Sequence, residues 1–316
     1  MKKSDLKRNQ AAHKTGRRLA AGLAAMLIAA TLEVKPAAAV DVVTAIPELA
    51  AIAKQVGGNH VSVYSIARPN TDYHRVEPRP SDVARIQKAE LVVRTGRDLD
   101  LWMDALMNAA ANRRVNRGGA GYVDASAEIP AIEVPTAQIT GASGDVHPEG
   151  NPHYIYDPIY AKFAARNIVR GLIRVDASHD DAYRANYVRF NKAIDDRMAG
   201  WRKELSPYQG QAVVTYHKSY NYFLRRFGLR QYATIEPKPG IPPSAGHINA
   251  LIQQMKRDKV KAVVIESIYP TRYPDLITRQ TGEKYVVVPY SVGSLGTDSY
   301  FELIDLLVDR FKQALR

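Results

Sequence analysis

Four side chains of this sequence could together bind one transition-metal ion: His74, His153, His217 and Asp298. Three imidazoles and one carboxylate suit Zn²⁺, which takes four such ligands tetrahedrally at about 2.0–2.2 Å. Mn²⁺ accepts the same groups but prefers more oxygen ligands. The residues lie roughly 60 to 80 positions apart, so spacing alone does not define a site. A single loop histidine is more often solvent-facing or engaged in an ordinary hydrogen bond.

The pattern around these residues predicts an α/β protein with two Rossmann-like lobes, mostly parallel sheets and one long rigid helix between the lobes. Short β-rich runs alternate with helical patterns on both sides of that helix. We expect an N-terminal lobe over residues 40–179, the connecting helix over 180–206 and a C-terminal lobe over 207–316. A short strand is also predicted at 132–134. Open α/β sheets bind ligands beyond the carboxyl ends of their strands, which is where the four candidate ligands fall.

Residues 1–39 have the order of a secretory signal peptide: a basic start, an apolar run over 19–31 and small residues at 37–39. The apolar run is short for a membrane span, although an uncleaved anchor is the alternative. Arg17 and Arg18 leave the Sec and twin-arginine export routes both open. We expect cleavage before Val40 and a periplasmic protein.

Charge and cysteine content narrow the function further. Of the formal net charge of +12, +6 belongs to residues 1–39, where eight Lys and Arg outnumber two Asp and Glu, and +6 remains on the mature chain. No basic run with interleaved aromatic residues is present, so we expect no nucleic-acid partner. The chain has no Cys, which excludes disulfides, thiolate ligands and a lipid-modified cysteine anchor. We expect a monomer without a membrane anchor.

Four local patterns recur around the candidate ligands: Asp72-Tyr-His74 with Glu77-Pro-Arg-Pro-Ser-Asp82, Pro152-His153 with Asp157-Pro158, Thr215-Tyr-His217 with Tyr222-Phe223 and Phe227-Gly228-Leu229, and Gly296-Thr-Asp298-Ser-Tyr300. In order and spacing they resemble the ligand motifs of the zinc- and manganese-type solute-binding proteins of metal ABC importers, and the similarity covers nearly all of 40–316. The resemblance implies high-affinity capture of one divalent ion, zinc before manganese, and delivery to an ABC permease. It also implies that the protein is not an enzyme.

The sequence departs from that family at several positions. The first two ligand motifs usually read Asp-Pro-His, whereas here Tyr73 and Asn151 interrupt the pattern, and Ile155 stands where a Trp is frequent. Zinc members also often carry a His-rich acidic loop before the second ligand. The corresponding loop, 136–152, contains only His147. Either its metal-collecting role is missing or a metallochaperone supplies the ion.

Three further residues are candidates for supporting roles. Glu266, at the end of a predicted strand, could orient a histidine, or it could be an ordinary strand-end carboxylate. Tyr216 could shield the ion or simply pack in the core. His147 could contact the ion from its loop, although a solvated loop histidine is the simpler interpretation.

Other functions predict different behaviour. An exported zinc hydrolase needs an open coordination position and a general base, and the sequence has no His-Glu-x-x-His helix and no Gly-x-Ser-x-Gly elbow. A protein that binds a metal chelate would take the chelate tightly and the bare ion poorly. An adhesin with a structural metal would unfold when the metal is removed.

Overall fold

The structure is a computed structural model that describes residues 39–140 and 143–316. The N-terminal lobe contains one parallel sheet of four strands, β1 (Val40–Thr44), β2 (Val61–Ser65), β3 (Leu91–Arg94) and β4 (Tyr122–Asp124), in the order β2-β1-β3-β4. The predicted signal peptide lies outside the described residues, apart from Ala39.

The C-terminal lobe repeats this arrangement. Its strands are β5 (Ala212–Thr215), β6 (Arg230–Thr234), β7 (Ala262–Glu266) and β8 (Tyr285–Val288), all parallel and in the order β6-β5-β7-β8. Two all-parallel sheets with crossover helices confirm the predicted α/β class. Because the strands of each sheet are parallel, their carboxyl ends share one edge, where loops can bring distant residues together.

Nine helices complete the described part of the chain: α1 (Pro47–Gly57), α2 (Pro80–Lys88), α3 (Trp102–Ala110), α4 (Pro158–Val175), α5 (Asp180–Leu205), α6 (Asn221–Arg226), α7 (Ala245–Asp258), α8 (Arg272–Thr281) and α9 (Tyr300–Leu315). The long helix α5 follows the first lobe and packs against α1, α4 and α9. Its buried stripe includes Phe190, Ile194 and Met198, spaced as expected for one face of a helix. Of the described helices, none has the length and apolarity required to cross a membrane.

A continuous apolar core extends across both lobes. The cluster joins the valines of β1 and β3 to α4, α5, α9 and part of the second sheet, and a smaller cluster lies between the second sheet and α7. Buried tyrosines add polar contacts between the lobes. The hydroxyl of Tyr300 donates to the carbonyl of Ile155 at 2.8 Å, and that of Tyr156 donates to the carbonyl of Tyr290. The loops at the carboxyl edges of both sheets therefore pack on one continuous apolar interior.

The strand predicted at 132–134 is wrong. Glu133 has a φ of 55°, which interrupts extended backbone. The carbonyl of Ile132 instead accepts a hydrogen bond from the backbone N–H of Asn151 at 2.9 Å. This segment is therefore the start of a loop that returns toward the carboxyl edge of the sheet.

Two helical glycines provide a test of the packing. A Cβ on Gly171 of α4 would lie 2.3 Å from Val123 and 3.0 Å from Leu91, whereas one on Gly200 of α5 would meet nothing within 4 Å. We expect Gly171→Ala to lower the free energy of unfolding by about 1–3 kcal/mol because of overpacking. Gly200→Ala should raise it by about 0.5–1 kcal/mol through helix propensity. Urea unfolding of the metal-free mature protein measures both, and equal effects would contradict the α4–sheet packing.

Candidate metal centre

Three histidines from distant parts of the chain converge between the lobes. One ring nitrogen each of His74, His153 and His217 lies within 4.8 Å of the other two. The Nε2 atoms of His153 and His217 are 3.2 Å apart, and these two residues are only 2% and 4% exposed. Neutral imidazole nitrogens that face one point can bind a divalent transition ion.

His74 is positioned by a short turn in the loop after β2. Tyr73–Arg75 form one 3₁₀ turn capped by Asp72. The Asp72 carboxylate accepts hydrogen bonds from the backbone N–H of His74 at 3.0 Å and from its Nδ1 at 2.9 Å. Burial raises the pKa of Asp72, but the hydrogen bonds and charge of His74 outweigh burial and hold the pKa below its usual value. The carboxylate therefore orients the ring so that Nε2 faces the other histidines.

His217 lies two residues beyond β5, and its outer nitrogen contacts a carboxylate that the sequence analysis missed. The Nδ1 of His217 hydrogen-bonds to Glu236, which is itself only 4% exposed. Glu236 lies two residues beyond β6, the neighbour of β5 in the sheet. The sequence did contain a signal for this contact. In neighbouring parallel strands, residues that lie the same number of positions beyond the strand ends come side by side.

His153 is held by Asn151, the residue that departs from the family motif. The Asn151 side-chain carbonyl accepts the backbone N–H of His153 at 2.9 Å. Its amide donates to the Glu133 carboxylate at 2.8 Å and to the carbonyl of Lys218 at 2.9 Å. Because Lys218 follows His217, the Asn151 amide ties the His153 loop to the His217 loop. An aspartate could not donate these two hydrogen bonds.

The structure does not place Asp298, the predicted fourth ligand, with the three histidines. Asp298 is exposed and lies just before α9. The Ser299 hydroxyl caps the helix, while the Glu302 carboxylate accepts the backbone N–H groups of Asp298 and Ser299 at 2.6 and 3.0 Å. The Gly-Thr-Asp-Ser-Tyr pattern therefore forms a capping box at a helix start.

The two predicted supporting residues border the centre in different ways. Burial raises the pKa of Glu266 to about 8, although polar contacts with Ser219 and with the backbone of His217 lower it in part. Both Glu266 oxygens are buried without a hydrogen-bond partner within 3.5 Å among the described residues, whereas Glu236 holds the imidazole of His217. The Tyr216 ring stacks on Tyr269 with centroids 4.1 Å apart. Both tyrosines line a cavity of about 380 Å³ beside His74 and His217.

His147, the remaining candidate, lies next to the cluster. Its Nε2 is 3.1 Å from the Nε2 of His74, and the residue is half-buried. Burial, followed by the neighbouring His74 and His217, lowers the pKa of His147 to about 3. The pKa of His153 is also held well below the usual value, by burial and then by His217, His74 and His147. Both rings are therefore neutral near pH 7, as metal ligation requires.

Comparison with known proteins gives a consistent result over almost the whole chain. Residues 42–314 match the family model described as zinc-uptake complex component A, periplasmic. The iron-binding protein YfeA of Yersinia pestis is 26% identical over 281 residues, covering 85% of this chain and 84% of YfeA. The high-affinity zinc uptake protein ZnuA of Bacillus subtilis is 23% identical over 250 residues, covering 78% and 77% respectively.

A similar solved structure is that of the solute-binding protein FpvC of Pseudomonas aeruginosa in complex with Mn²⁺. It superposes with a TM-score of 0.73 at 24% identity and covers 88% of this chain and 98% of FpvC. At this identity the likeness shows the fold alone. The relatives are named for different ions, so similarity supports metal binding without selecting the metal.

The low pKa of His153 predicts a pH-dependent stability in the metal-free protein. Below the usual pKa of 6.5 the unfolded chain binds a proton that folded His153 resists, so stability falls as the pH drops. The contribution is about 1.4 kcal/mol per pH unit below that value. The unfolding free energy of wild type minus that of His153→Gln, measured from pH 7 to 5, should decrease by this amount. Glu48 and Glu266, with raised pKa values of about 7 and 8, make the folded protein more stable as the pH drops. Wild type and His153→Gln share this contribution, so the subtraction removes it. A difference independent of pH would contradict the prediction.

Asn151→Asp restores the usual family residue, yet the structure predicts a loss of stability. The substitution places a carboxylate against Glu133 and removes both amide donors. We expect the free energy of unfolding to fall by about 2 kcal/mol at pH 7. Adding Glu133→Gln should recover part of the loss, because it supplies an amide donor and removes the charge repulsion. Urea unfolding of the two single variants and the double variant measures this coupling, and strictly additive effects would contradict it.

Proposed function

This chain belongs to the family of periplasmic zinc-uptake components, and on that premise we propose that it captures Zn²⁺ through His74, His153 and His217. The family consists of substrate-binding proteins of ABC importers, not enzymes. Metal capture for import is therefore the function of the chain, and an exported hydrolase is not favoured. Zinc as the ion, and these three residues as its ligands, are the parts that we propose.

The observation that supports the ligand set is the convergence of three imidazole nitrogens within 4.8 Å. A tetrahedral ion with Zn–N bonds of 2.0–2.1 Å has ligand atoms about 3.3–3.4 Å apart. The 3.2 Å between the Nε2 atoms of His153 and His217 is close to that spacing. A small inward movement of His74 would complete a three-nitrogen face.

The chemistry of the donors supports zinc as the proposed ion. Imidazole suits zinc, whereas manganese prefers carboxylate, carbonyl and water ligands. The carboxylates of Asp72 and Glu236 are occupied by the outer nitrogens of His74 and His217, which leaves nitrogen atoms facing the centre. Manganese remains the alternative ion, and a metal chelate the alternative cargo.

Capture also requires that the ion be released to the transporter. His74 and His153 come from loops of the first lobe and His217 from the second, so a bound ion would link the lobes. We propose that docking on an ABC permease separates these loops and weakens binding. Family proteins are periplasmic or are exported lipoproteins. With its predicted signal peptide and no Cys, this chain is proposed to work as a soluble periplasmic protein.

Competitive titration of the mature protein with chromophoric chelators tests the proposal. Wild type should bind one Zn²⁺ per chain and bind it more tightly than Mn²⁺. His153→Ala should weaken zinc binding by about 100-fold or more, because changes to residues that merely orient ligands already cost 10–100-fold. His60→Ala is the matched control, since His60 stacks on His179 outside the cluster.

Three results would contradict parts of the proposal. Equal and weak binding of both ions by wild type and His153→Ala would reject the function. Tighter binding of manganese would reject zinc, and binding only of a chelated metal would reject the bare ion as cargo.

A further inference from the structure

His147 contacts one of the three inner histidines at the distance expected between two ligands of one ion. Its Nε2 lies 3.1 Å from the Nε2 of His74, while the Nε2 atoms of His153 and His217 lie 3.2 Å apart. Each pair approximates one edge of a zinc tetrahedron, which is about 3.3–3.4 Å long for Zn–N bonds of 2.0–2.1 Å. His147 lies on the His74 side of the group of three, so a movement toward His153 and His217 would bring it into the same coordination shell.

The outer side of the His147 ring is also prepared for ligation. Metal-binding histidines almost always donate their other ring N–H to a carboxylate, a carbonyl or water. His74 has Asp72 and His217 has Glu236 in this role, and His147 hydrogen-bonds to the backbone of Asp98. The Nε2 of His147 faces the Nε2 of His74.

The turn that contacts His147 has an unusual backbone conformation. Gly96, Arg97 and Asp98 have φ values of 81°, 52° and 59°, and left-handed backbone costs about 1–2 kcal/mol at each non-glycine residue. The buried Arg97 guanidinium donates to the carbonyls of Ile129 and Glu149. The turn after β3 therefore contacts the chain both at His147 and two residues beyond it.

Residues 143–151, which we call the strap, also contact the other lobe. The backbone N–H of Asp145 donates to the carbonyl of Pro239 at 2.8 Å. Gly144 has a φ of 74°, and a Cβ there would lie 2.2 Å from the same carbonyl oxygen. The strap thus lies directly against the loop 238–241 of the C-terminal lobe.

Loop 238–241 in turn contacts the residues around two of the inner histidines. The Arg75 guanidinium, next to His74, donates to the carbonyl of Gly240 at 2.9 Å. The backbone N–H of Gly240 donates at 3.2 Å to Glu236, the carboxylate that holds His217. The position of His147 is therefore linked to the closed arrangement of both lobes.

We propose that His147 is the fourth ligand of the captured ion, carried by the strap and held in place by loop 238–241. This inference rests on the proposed function and adds a donor to it. Four imidazole nitrogens favour zinc over manganese, because manganese prefers oxygen ligands. Docking of the strap across the two lobes then gives the ion its last ligand, and undocking begins its release.

X-ray absorption at the zinc edge tests the ligand count directly. Zinc-loaded wild type should show four imidazole nitrogens, and His147→Ala should show three with one oxygen from water. In titrations, His147→Ala should weaken zinc binding about 100-fold and manganese binding about 10-fold or less, so the preference for zinc falls about tenfold. His60→Ala should match wild type, and the thermal midpoint of metal-free His147→Ala should confirm that it folds.

A second variant tests the strap while retaining all four histidines. Gly144→Ala pushes a methyl group toward the Pro239 carbonyl, so we expect faster zinc dissociation in stopped-flow chelator competition. Gly118→Ala is the matched control, because Gly118 has a φ of 86° and open space around a Cβ. Gly118→Ala introduces the same kind of backbone strain, but its methyl group does not contact another loop.

The outcomes separate this inference from the proposed function. Three imidazoles in wild type, or unchanged zinc affinity in His147→Ala while His153→Ala loses binding, would overturn the role of His147 alone. Equal dissociation rates in the two glycine variants would overturn the role of the strap. Wild type that binds neither ion would reject the proposed function and this inference together.

Discussion

The convergence of three imidazoles between two lobes is the constraint on which the site depends. A buried histidine retains its neutral form because burial and neighbouring rings disfavour protonation, as the depressed pKa of His153 reflects. The rings could still rotate away from the centre. Acceptors on their outer side prevent this for His74 and His217, where Asp72 and Glu236 hold the Nδ1 atoms. The carboxylates thus fix ring orientation from outside the centre.

The packing behind the site explains why these loops can meet at all. Each sheet ends in loops at its carboxyl edge, and loops from both lobes meet at the three histidines. The interior behind them is continuous, with α5 against α1, α4 and α9 and with tyrosine hydroxyls donating to carbonyls of the opposite lobe. A close-packed interior transmits displacement rather than absorbing it. A relative movement of the lobes should therefore displace the ligand loops by a similar distance.

Features particular to this chain concentrate in the loop before His153. Asn151 replaces an acidic motif residue and uses its amide to join the His153 and His217 loops, which a carboxylate could not do. The same loop carries one histidine in place of a His-rich segment. With His147 as a ligand, a single donor held across the lobes would take the place of many donors on a long loop. Because of both features, the loop before His153 helps to form the site and does not only shield it from solvent.

The sequence by itself determined the class of fold, and it singled out as candidate ligands the three histidines that the structure brings together. Those features follow from local patterns: hydrophobic periodicity, strand-end position and ligand chemistry. The tertiary structure decided which polar groups meet. It placed Asp298 in a capping box, assigned the imidazole of His217 to Glu236 and brought His147 to His74. Those pairings depend on how loops from different strands fold over one another, and contacts between residues far apart in the chain leave no periodic signal in it.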